Sequence, residues 1–279
     1  MTDHPRIPLA GVIGHPVAHS RSPALHGFWL RRYGIKGHYV PLDIAPQDFA
    51  AALRMLPKLG FVGVNVTIPH KETLLALADR VTERAARIGA ANTVTFLPDG
   101  AIEADNTDGL GFIANLQQAV PGWRPAAGPA AVFGAGGAAR AVVAALLDAG
   151  VPELRIANRS LARAQALQQD FGPRVTVTDW DKAETMLDGA GTVVNTTALG
   201  MTGKEDFAVP LDRLAPGALA TDIVYTPLKT GFLTAAEARG ALIVDGLGML
   251  LHQAAPGFER WFGHRPVVDD ETRRVVLAA

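Results

Sequence analysis

The strongest constraint on this chain is a strand-turn-helix sequence near its middle. Residues 129–133, Pro-Ala-Ala-Val-Phe, follow a Pro/Gly loop and suffice for one buried strand, while residues 138–149 are rich in Ala, Val and Leu and stop at Gly150. Between them the small residues fall as Gly134-x-Gly136-x-x-Ala139. Each position has a physical reason. The strand must turn sharply into the helix, the backbone must approach a pyrophosphate closely, and the helix N–H groups must face the anion. Glycine-rich turns are common, so the spacing alone is weak evidence; flanked by a strand and a helix it predicts a dinucleotide-binding unit. Residues 1–128 precede it, so another domain comes first.

A length of 279 residues suits two domains, and 48% hydrophobic residues supply their cores. Cysteine is absent, which excludes disulfides, thiolate nucleophiles and cysteine metal sites and fits a reducing compartment. A net charge of −1 argues against a nucleic-acid binder. Met1-Thr2-Asp3-His4-Pro5 has neither the basic start nor the apolar core of a signal peptide, and no apolar run approaches the ~20 residues needed to cross a membrane. The expectation is a soluble, cytoplasmic protein that binds small molecules.

In the first part, residues 7–14 read as a strand, followed by His19-Ser20-Arg21-Ser22-Pro23 at the start of a helix. Ser22 suits an N-cap; paired hydroxyls at a helix start also suit a carboxylate. Residues 37–42 and 60–67 read as further strands, the second running into Ile68-Pro69-His70-Lys71. Lys71 is thereby expected to begin a helix just past the C-terminal end of a strand, where open α/β sheets bind ligands. Asn65 and Thr67 add polar groups at the same strand end. Residues 79–88 read as a helix and residues 89–104 as an edge hairpin turning at Pro98-Asp99-Gly100. Asp108, after Asn106 and Thr107, opens the next helix, where an N-cap role is also open to it.

The cofactor is read at the end of the nucleotide unit's second strand. An NAD site places an acid there for the ribose 2′-hydroxyl, whereas a 2′-phosphate repels a carboxylate and favours arginine. This chain has Asn158-Arg159-Ser160, then Arg163, with no acid between Ala157 and Arg163. It reads as NADP. Further strands are expected at residues 175–177, 191–197, 218–225 and 241–246, with a helix at 180–187. Tyr225, ending one of these strands, suits either a cleft or a core. The last long helix, around residues 249–255, is apolar except for His252 and Gln253.

Taken in order, Gly14-His15-Pro16-Val17-Ala18-His19-Ser20-Arg21-Ser22-Pro23, Asn65-Val66-Thr67-Ile68-Pro69-His70-Lys71, Gly89-Ala90-Ala91-Asn92-Thr93, Asn106-Thr107-Asp108-Gly109, the central glycine turn, Asn158-Arg159-Ser160 and Gln253-Ala254 resemble the shikimate dehydrogenases. Any one motif is weak; the ordered set spans nearly the whole chain. The resemblance implies an α/β protein of two domains: a substrate domain at residues 1–107, completed by C-terminal helices at 244–279, and a Rossmann-type NADP domain at 108–243.

It also implies NADP-dependent, reversible reduction of 3-dehydroshikimate to shikimate, without a metal, by a monomer or homodimer. Lys71 would be the acid/base, with Asp108 beside it. Ser20, Ser22, Thr67, Asn92, Thr107, Tyr225 and Gln253 would hold the hydroxy acid. Gly134, Ala135, Gly136, Gly137, Ala138, Asn158, Arg159, Ser160, Arg163 and Thr196 would hold NADP, and Glu83, Ile223, Gly246 and Met249 would lie near the ligands. One departure is Gly27, where the family often has Asn. The alternatives are a quinate/shikimate dehydrogenase of broader specificity, another lysine-dependent NADP enzyme such as methylenetetrahydrofolate dehydrogenase, or a non-catalytic ligand-binding regulator. The serine pair, Asn106-Thr107-Asp108 and the retained Lys71 and Asp108 count against the last two.

Overall fold

The computed structural model describes residues 7–279; the opening stretch read above for leader features lies outside the described residues. The chain divides into two compact units, one running up to Thr107 and including Leu250–Ala279, the other Asp108–Met249.

The first unit opens with β1 (Leu9–Gly14), α1 (Ser22–Arg32), β2 (His38–Asp43), α2 (Phe49–Met55) and β3 (Phe61–Val66). It continues through α3 (Thr73–Leu77), β4 (Arg80–Val81), α4 (Glu83–Ile88), β5 (Thr93–Phe96) and β6 (Ile102–Asp105). Its sheet runs β2-β1-β3-β5-β6-β4. β1 lies parallel to both β2 and β3, and β5 runs antiparallel to β3. Five of the six β1 residues are buried, as expected for a central strand covered on both faces. One face packs on Phe49, Leu53 and Leu74. The other packs Ala10, Val12 and Tyr39 against Trp261.

Two expectations for this unit are corrected. The helix expected over 79–88 starts only at Glu83, because the Thr82 hydroxyl accepts from the Ala85 N–H at 3.2 Å and caps it there. Arg80 and Val81 instead pair in parallel with Glu103 and Ala104. That short strand is the sheet edge, so the β5–β6 hairpin lies inside the sheet.

The second unit begins with α5 (Asp108–Ala119), then β7 (Ala130–Phe133), α6 (Gly137–Asp148), β8 (Leu154–Ala157), α7 (Leu161–Phe171) and β9 (Val175–Thr178). β10 (Thr192–Asn195), β11 (Leu219–Asp222), α8 (Gly231–Ala238) and β12 (Leu242–Val244) complete it. Its sheet is all parallel, in the order β12-β11-β10-β7-β8-β9. Numbered within the unit, this is the doubly wound order 3-2-1-4-5-6, whose crevice lies where the winding reverses, between β7 and β10.

Here too the structure refines the sequence reading. Trp180–Leu187 is a 3-10 helix; its buried Ala183 and Met186 are three residues apart, the period of that tighter winding. β11 stops at Asp222, whose carboxylate accepts from the Val224 N–H at 2.9 Å and turns the chain out of the ladder. Val244 pairs with Thr221 in this sheet, so the second unit runs past the expected boundary at residue 243, and the division falls between Met249 and Leu250.

α9 (Leu247–Phe262) crosses that division, and α10 (Asp270–Leu277) packs on α1. Trp29 Nε1 donates to Thr272 Oγ1 at 3.4 Å, and Arg32 forms two hydrogen bonds with Asp269 at 3.0 and 2.7 Å. The C-terminal helices thereby complete the first unit's apolar layer.

Candidate functional site

In the first unit, the polar motifs converge because of strand direction. β1 and β3 are parallel, and β5 runs the other way, so the C-terminal ends of the first two and the beginning of the third lie at the same end of the sheet's strands. Ser20 and Ser22 follow β1, Thr67 and Lys71 follow β3, and Asn92 precedes β5.

The loop carrying the serines is held from two sides. His15 N–H donates to Ile68 O at 3.0 Å. His15 Nδ1 lies 2.6 Å from Asp43 Oδ1, and that hydrogen bond holds the exposed Asp43 carboxyl below its ordinary range. Ser22 is the first residue of α1 and is buried, and the position before it, Arg21, makes no side-chain capping bond. Ser22 is therefore not the N-cap. Its backbone N–H donates to Ser20 Oγ at 3.3 Å. Burial pushes the phenol of Tyr39, on β2, well above its usual value.

From Tyr39 a buried network runs through the unit. The Tyr39 hydroxyl donates to Asn65 Oδ1 at 2.7 Å, and Asn65 Nδ2 reaches Thr93 Oγ1 at 3.4 Å. Thr93 Oγ1 donates to Asn92 Oδ1 at 2.9 Å. That same oxygen accepts from the Thr107 N–H at 2.8 Å and the Thr107 hydroxyl at 3.1 Å. Asn92 Nδ2 donates to Gln253 Oε1 on α9 at 3.1 Å. Asn92, Thr107 and Gln253, three expected substrate residues, thus belong to one network with Tyr39, Asn65 and Thr93. Buried polar groups connected in this way specify a single arrangement. Tyr39 and Thr93 were not singled out as site residues in the sequence; Thr93 stood next to Asn92 in a quoted motif, but Tyr39 read only as part of a strand.

Lys71 lies in a turn two residues before α3 rather than in its first turn. The turn is anchored: Thr67 N–H donates to Ile13 O and Ala91 N–H to Lys71 O, each at 2.8 Å, and His70 Nε2 lies 2.8 Å from Ile44 O. The Lys71 side chain is half-buried, Asp108 is buried as the first residue of α5, and Glu83 is exposed in the first turn of α4.

In the second unit, the fingerprint takes the form the spacing predicts. Gly134 follows β7 at φ +110°, a conformation that favours glycine. A Cβ there would come within 2.5 Å of Thr196 Oγ1, the residue after β10. Gly136 caps α6 in an extended conformation, Gly137 is its first residue, and Ala135 to Ala138 are all half-buried. The N-terminus of α6 is thus open at the switch point, with backbone N–H groups available to an anion. Beyond β12, Gly246 lies so close to the carbonyls of Asp222 and Ile223 that a Cβ would collide with them, and Met249 is buried nearby in sequence. Asp222 is itself buried, accepting from Asn195 Nδ2 at 3.1 Å and Thr230 Oγ1 at 2.7 Å, and desolvation raises it to about 6. Tyr225 is half-buried in the loop three residues beyond β11.

At the end of β8, Asn158 Nδ2 donates to Ser160 O at 2.9 Å, while Arg159, Ser160 and Arg163 are exposed. Asn158 and Arg159 border an open pocket of about 470 Å³ that is also lined by Trp180, Thr197–Leu199 and Gly203–Glu205. Its size suits part of a nucleotide.

A doubly wound parallel sheet with this glycine turn and a basic second-strand end, in one chain with an α/β unit carrying a buried polar network, defines a two-domain dinucleotide-dependent oxidoreductase. Family models match along the chain: the shikimate dehydrogenase substrate binding domain at residues 12–94, shikimate / quinate 5-dehydrogenase at 124–202, and the shikimate 5′-dehydrogenase C-terminal domain at 246–270. The chain is 67% identical over 278 residues to a shikimate dehydrogenase (NADP(+)) of Cereibacter sphaeroides, covering all of both chains. It is 67% identical to that of Paracoccus denitrificans, covering 97% of this chain and 96% of the other.

Among solved structures it resembles shikimate 5-dehydrogenase from Thermus thermophilus in complex with NADP(H) and shikimate, with TM-score 0.86, 38% identity and 97% and 98% of the two chains covered. It also resembles quinate dehydrogenase from Corynebacterium glutamicum in complex with NAD, with TM-score 0.89, 33% identity and 97% and 99% covered. The chain belongs to the shikimate dehydrogenase family.

Proposed function

We propose that the chain carries out NADP-dependent, reversible reduction of 3-dehydroshikimate to shikimate with Lys71 as its acid/base. When bound, NADPH supplies the hydride to the ketone carbon. The protein must then supply a proton to the carbonyl oxygen and hold the ring.

Lys71, as an ammonium, donates that proton as the alkoxide develops and recovers it in the reverse direction; such positioned acid–base catalysis contributes ~10²–10⁴-fold. Asp108 accepts hydrogen bonds from the lysine and from a substrate hydroxyl, orienting both. Ser20 and Ser22, with Tyr225, hold the substrate carboxylate; Thr67, Asn92, Thr107 and Gln253 hold the ring hydroxyls. The backbone from Gly134 to Ala138 receives the pyrophosphate, and Asn158, Arg159, Ser160 and Arg163 receive the adenosine end. Thr196, Ile223, Gly246, Met249 and Glu83 line the remainder. The protein acts in the cytoplasm as a monomer or homodimer, its substrate domain formed by residues 1–107 with the C-terminal helices.

The observation that carries this reading is the buried network joining Asn92, Thr107 and Gln253 through donors and acceptors. It pre-orients neutral hydrogen-bonding side chains toward a polyhydroxy acid. The test is steady-state oxidation of shikimate and of quinate, each with NADP and with NAD, on the native chain and on Lys71→Ala. The native chain should prefer shikimate with NADP. Lys71→Ala should lose ~10²-fold or more in kcat while calorimetry shows NADP still bound. Undiminished turnover in the variant would remove Lys71 from the mechanism, and equal rates with quinate or NAD would move the protein to a broader specificity.

A further inference from the structure

The stretch that reads as an NADP site contains no acid in sequence, yet the fold brings one to it. Arg159 Nη2 lies 2.6 Å from Glu205 Oε2, a residue 46 positions further along the chain. Glu205 is not on a loose tail. Its carbonyl accepts from the Gly200 N–H at 2.7 Å, Lys204 N–H donates to Met201 O at 2.9 Å, and Thr202 N–H donates to Thr226 O at 2.9 Å. The loop after β10 is thus a closed turn that presents the carboxylate to the cavity bordered by Asn158 and Arg159. Asp179, Asp181 and Lys182 border the other side of Arg159, but among the described residues it is Glu205 that forms an ion pair with it.

Resting on the NADP reading above, we propose that Glu205 is a specificity-determining residue, a built-in competitor of the cofactor's 2′-phosphate for Arg159. In the free chain it neutralises the arginine. A 2′-phosphate must displace it and then sit beside its negative charge, which weakens NADP binding. A ribose 2′-hydroxyl carries no charge, displaces nothing, and can donate to the same carboxylate, as acids do in NAD sites. Glu205 therefore narrows the gap between the two cofactors, and the gap should widen when its charge is removed. Both partners are largely exposed, so the effect is of the size of surface ion pairs, roughly twofold to fivefold, and salt should screen it.

The test is Glu205→Gln, with Arg159→Gln and the double variant as controls. Binding of 2′,5′-ADP and of ADP to the full chain is measured by calorimetry at low and high salt, alongside KM for NADP and NAD. Glu205→Gln should bind 2′,5′-ADP roughly twofold to fivefold more tightly at low salt, with little gain at high salt and none for ADP. The gain should vanish in the Arg159→Gln background. An unchanged ratio of 2′,5′-ADP to ADP affinity in Glu205→Gln, with Arg159→Gln still weakening 2′,5′-ADP, would overturn this role for Glu205 alone. If Arg159→Gln leaves 2′,5′-ADP binding intact, the underlying placement of the 2′-phosphate fails, and this inference with it.

Discussion

His26 offers a quantitative test of the first unit's core. It is fully buried on α1, and both ring nitrogens lack a hydrogen-bond partner among the described residues. Its ring stacks on Tyr39 with centroids 3.8 Å apart and planes 8° from parallel, with Trp29, Phe258 and Trp261 around it. Desolvation in this aromatic box lowers its pKa from 6.5 to about 3. The folded chain therefore refuses a proton that the unfolded chain accepts below pH 6.5. The contribution is complete above that pH, and stability falls by about 1.4 kcal/mol per pH unit as the solution is acidified from 6.5 toward 3.

Between pH 7.5 and 5.0 the loss attributable to His26 is about 2 kcal/mol. His26→Phe keeps a stacking ring, removes no hydrogen bond and cannot titrate. It should unfold within about 1 kcal/mol of the native chain at pH 7.5, and at pH 5.0 it should retain about 2 kcal/mol that the native chain loses. Asp222 acts in the opposite sense: raised to about 6, it stabilises the fold as pH falls from 6 toward its unfolded value. That effect is common to both proteins and cancels in the comparison. Urea unfolding at the two pH values, followed by tryptophan fluorescence to which Trp29 and Trp261 contribute beside the ring, measures the difference. Parallel pH dependence in the two proteins would refute the claim that the ring is held neutral by burial.

Two further substitutions probe the elements that position the site. In Gly63→Ala a Cβ would come within 2.5 Å of Trp261 Cδ1 and nearer still to Nε1, displacing the indole whose N–H bonds Val94 O at 3.0 Å; a loss of about 3 kcal/mol is expected by urea unfolding, and unaltered stability would show that the indole does not seal the sheet there. Asn92→Leu would strand the buried Thr107 N–H and Gln253 Oε1, costing about 2–5 kcal/mol and raising KM for shikimate far more than KM for NADP, whereas an equal rise in both would mean that the network does not serve the substrate.

Much of the second unit was legible residue by residue. A tight strand-to-helix turn, close backbone approach to an anion and an arginine at a strand end are demands that a few adjacent residues meet by themselves. Gly134, with its positive φ and its close approach to Thr196, was readable for that reason. So were the loops after β1 and β3, since a polar run following an apolar strand can only lie at that strand's end. Where helix and strand boundaries went astray, at Glu83 and at Tyr225, a single side-chain bond from Thr82 or Asp222 ended one element or began another. Such bonds compete with propensity on nearly equal terms.

The relations between distant side chains came only from the tertiary structure. Asn92 and Gln253 are 161 residues apart, and nothing near either one specifies the other. The β4 edge strand exists because Arg80 and Val81 find Glu103 and Ala104. Tyr39 joins the polar network because a parallel register sets β2 beside β1. Most plainly, a stretch without an acid acquires Glu205 from a loop that follows a different strand. Local backbone requirements are written in neighbouring residues. Which side chains meet depends on strand order, register and helix packing summed over the whole chain.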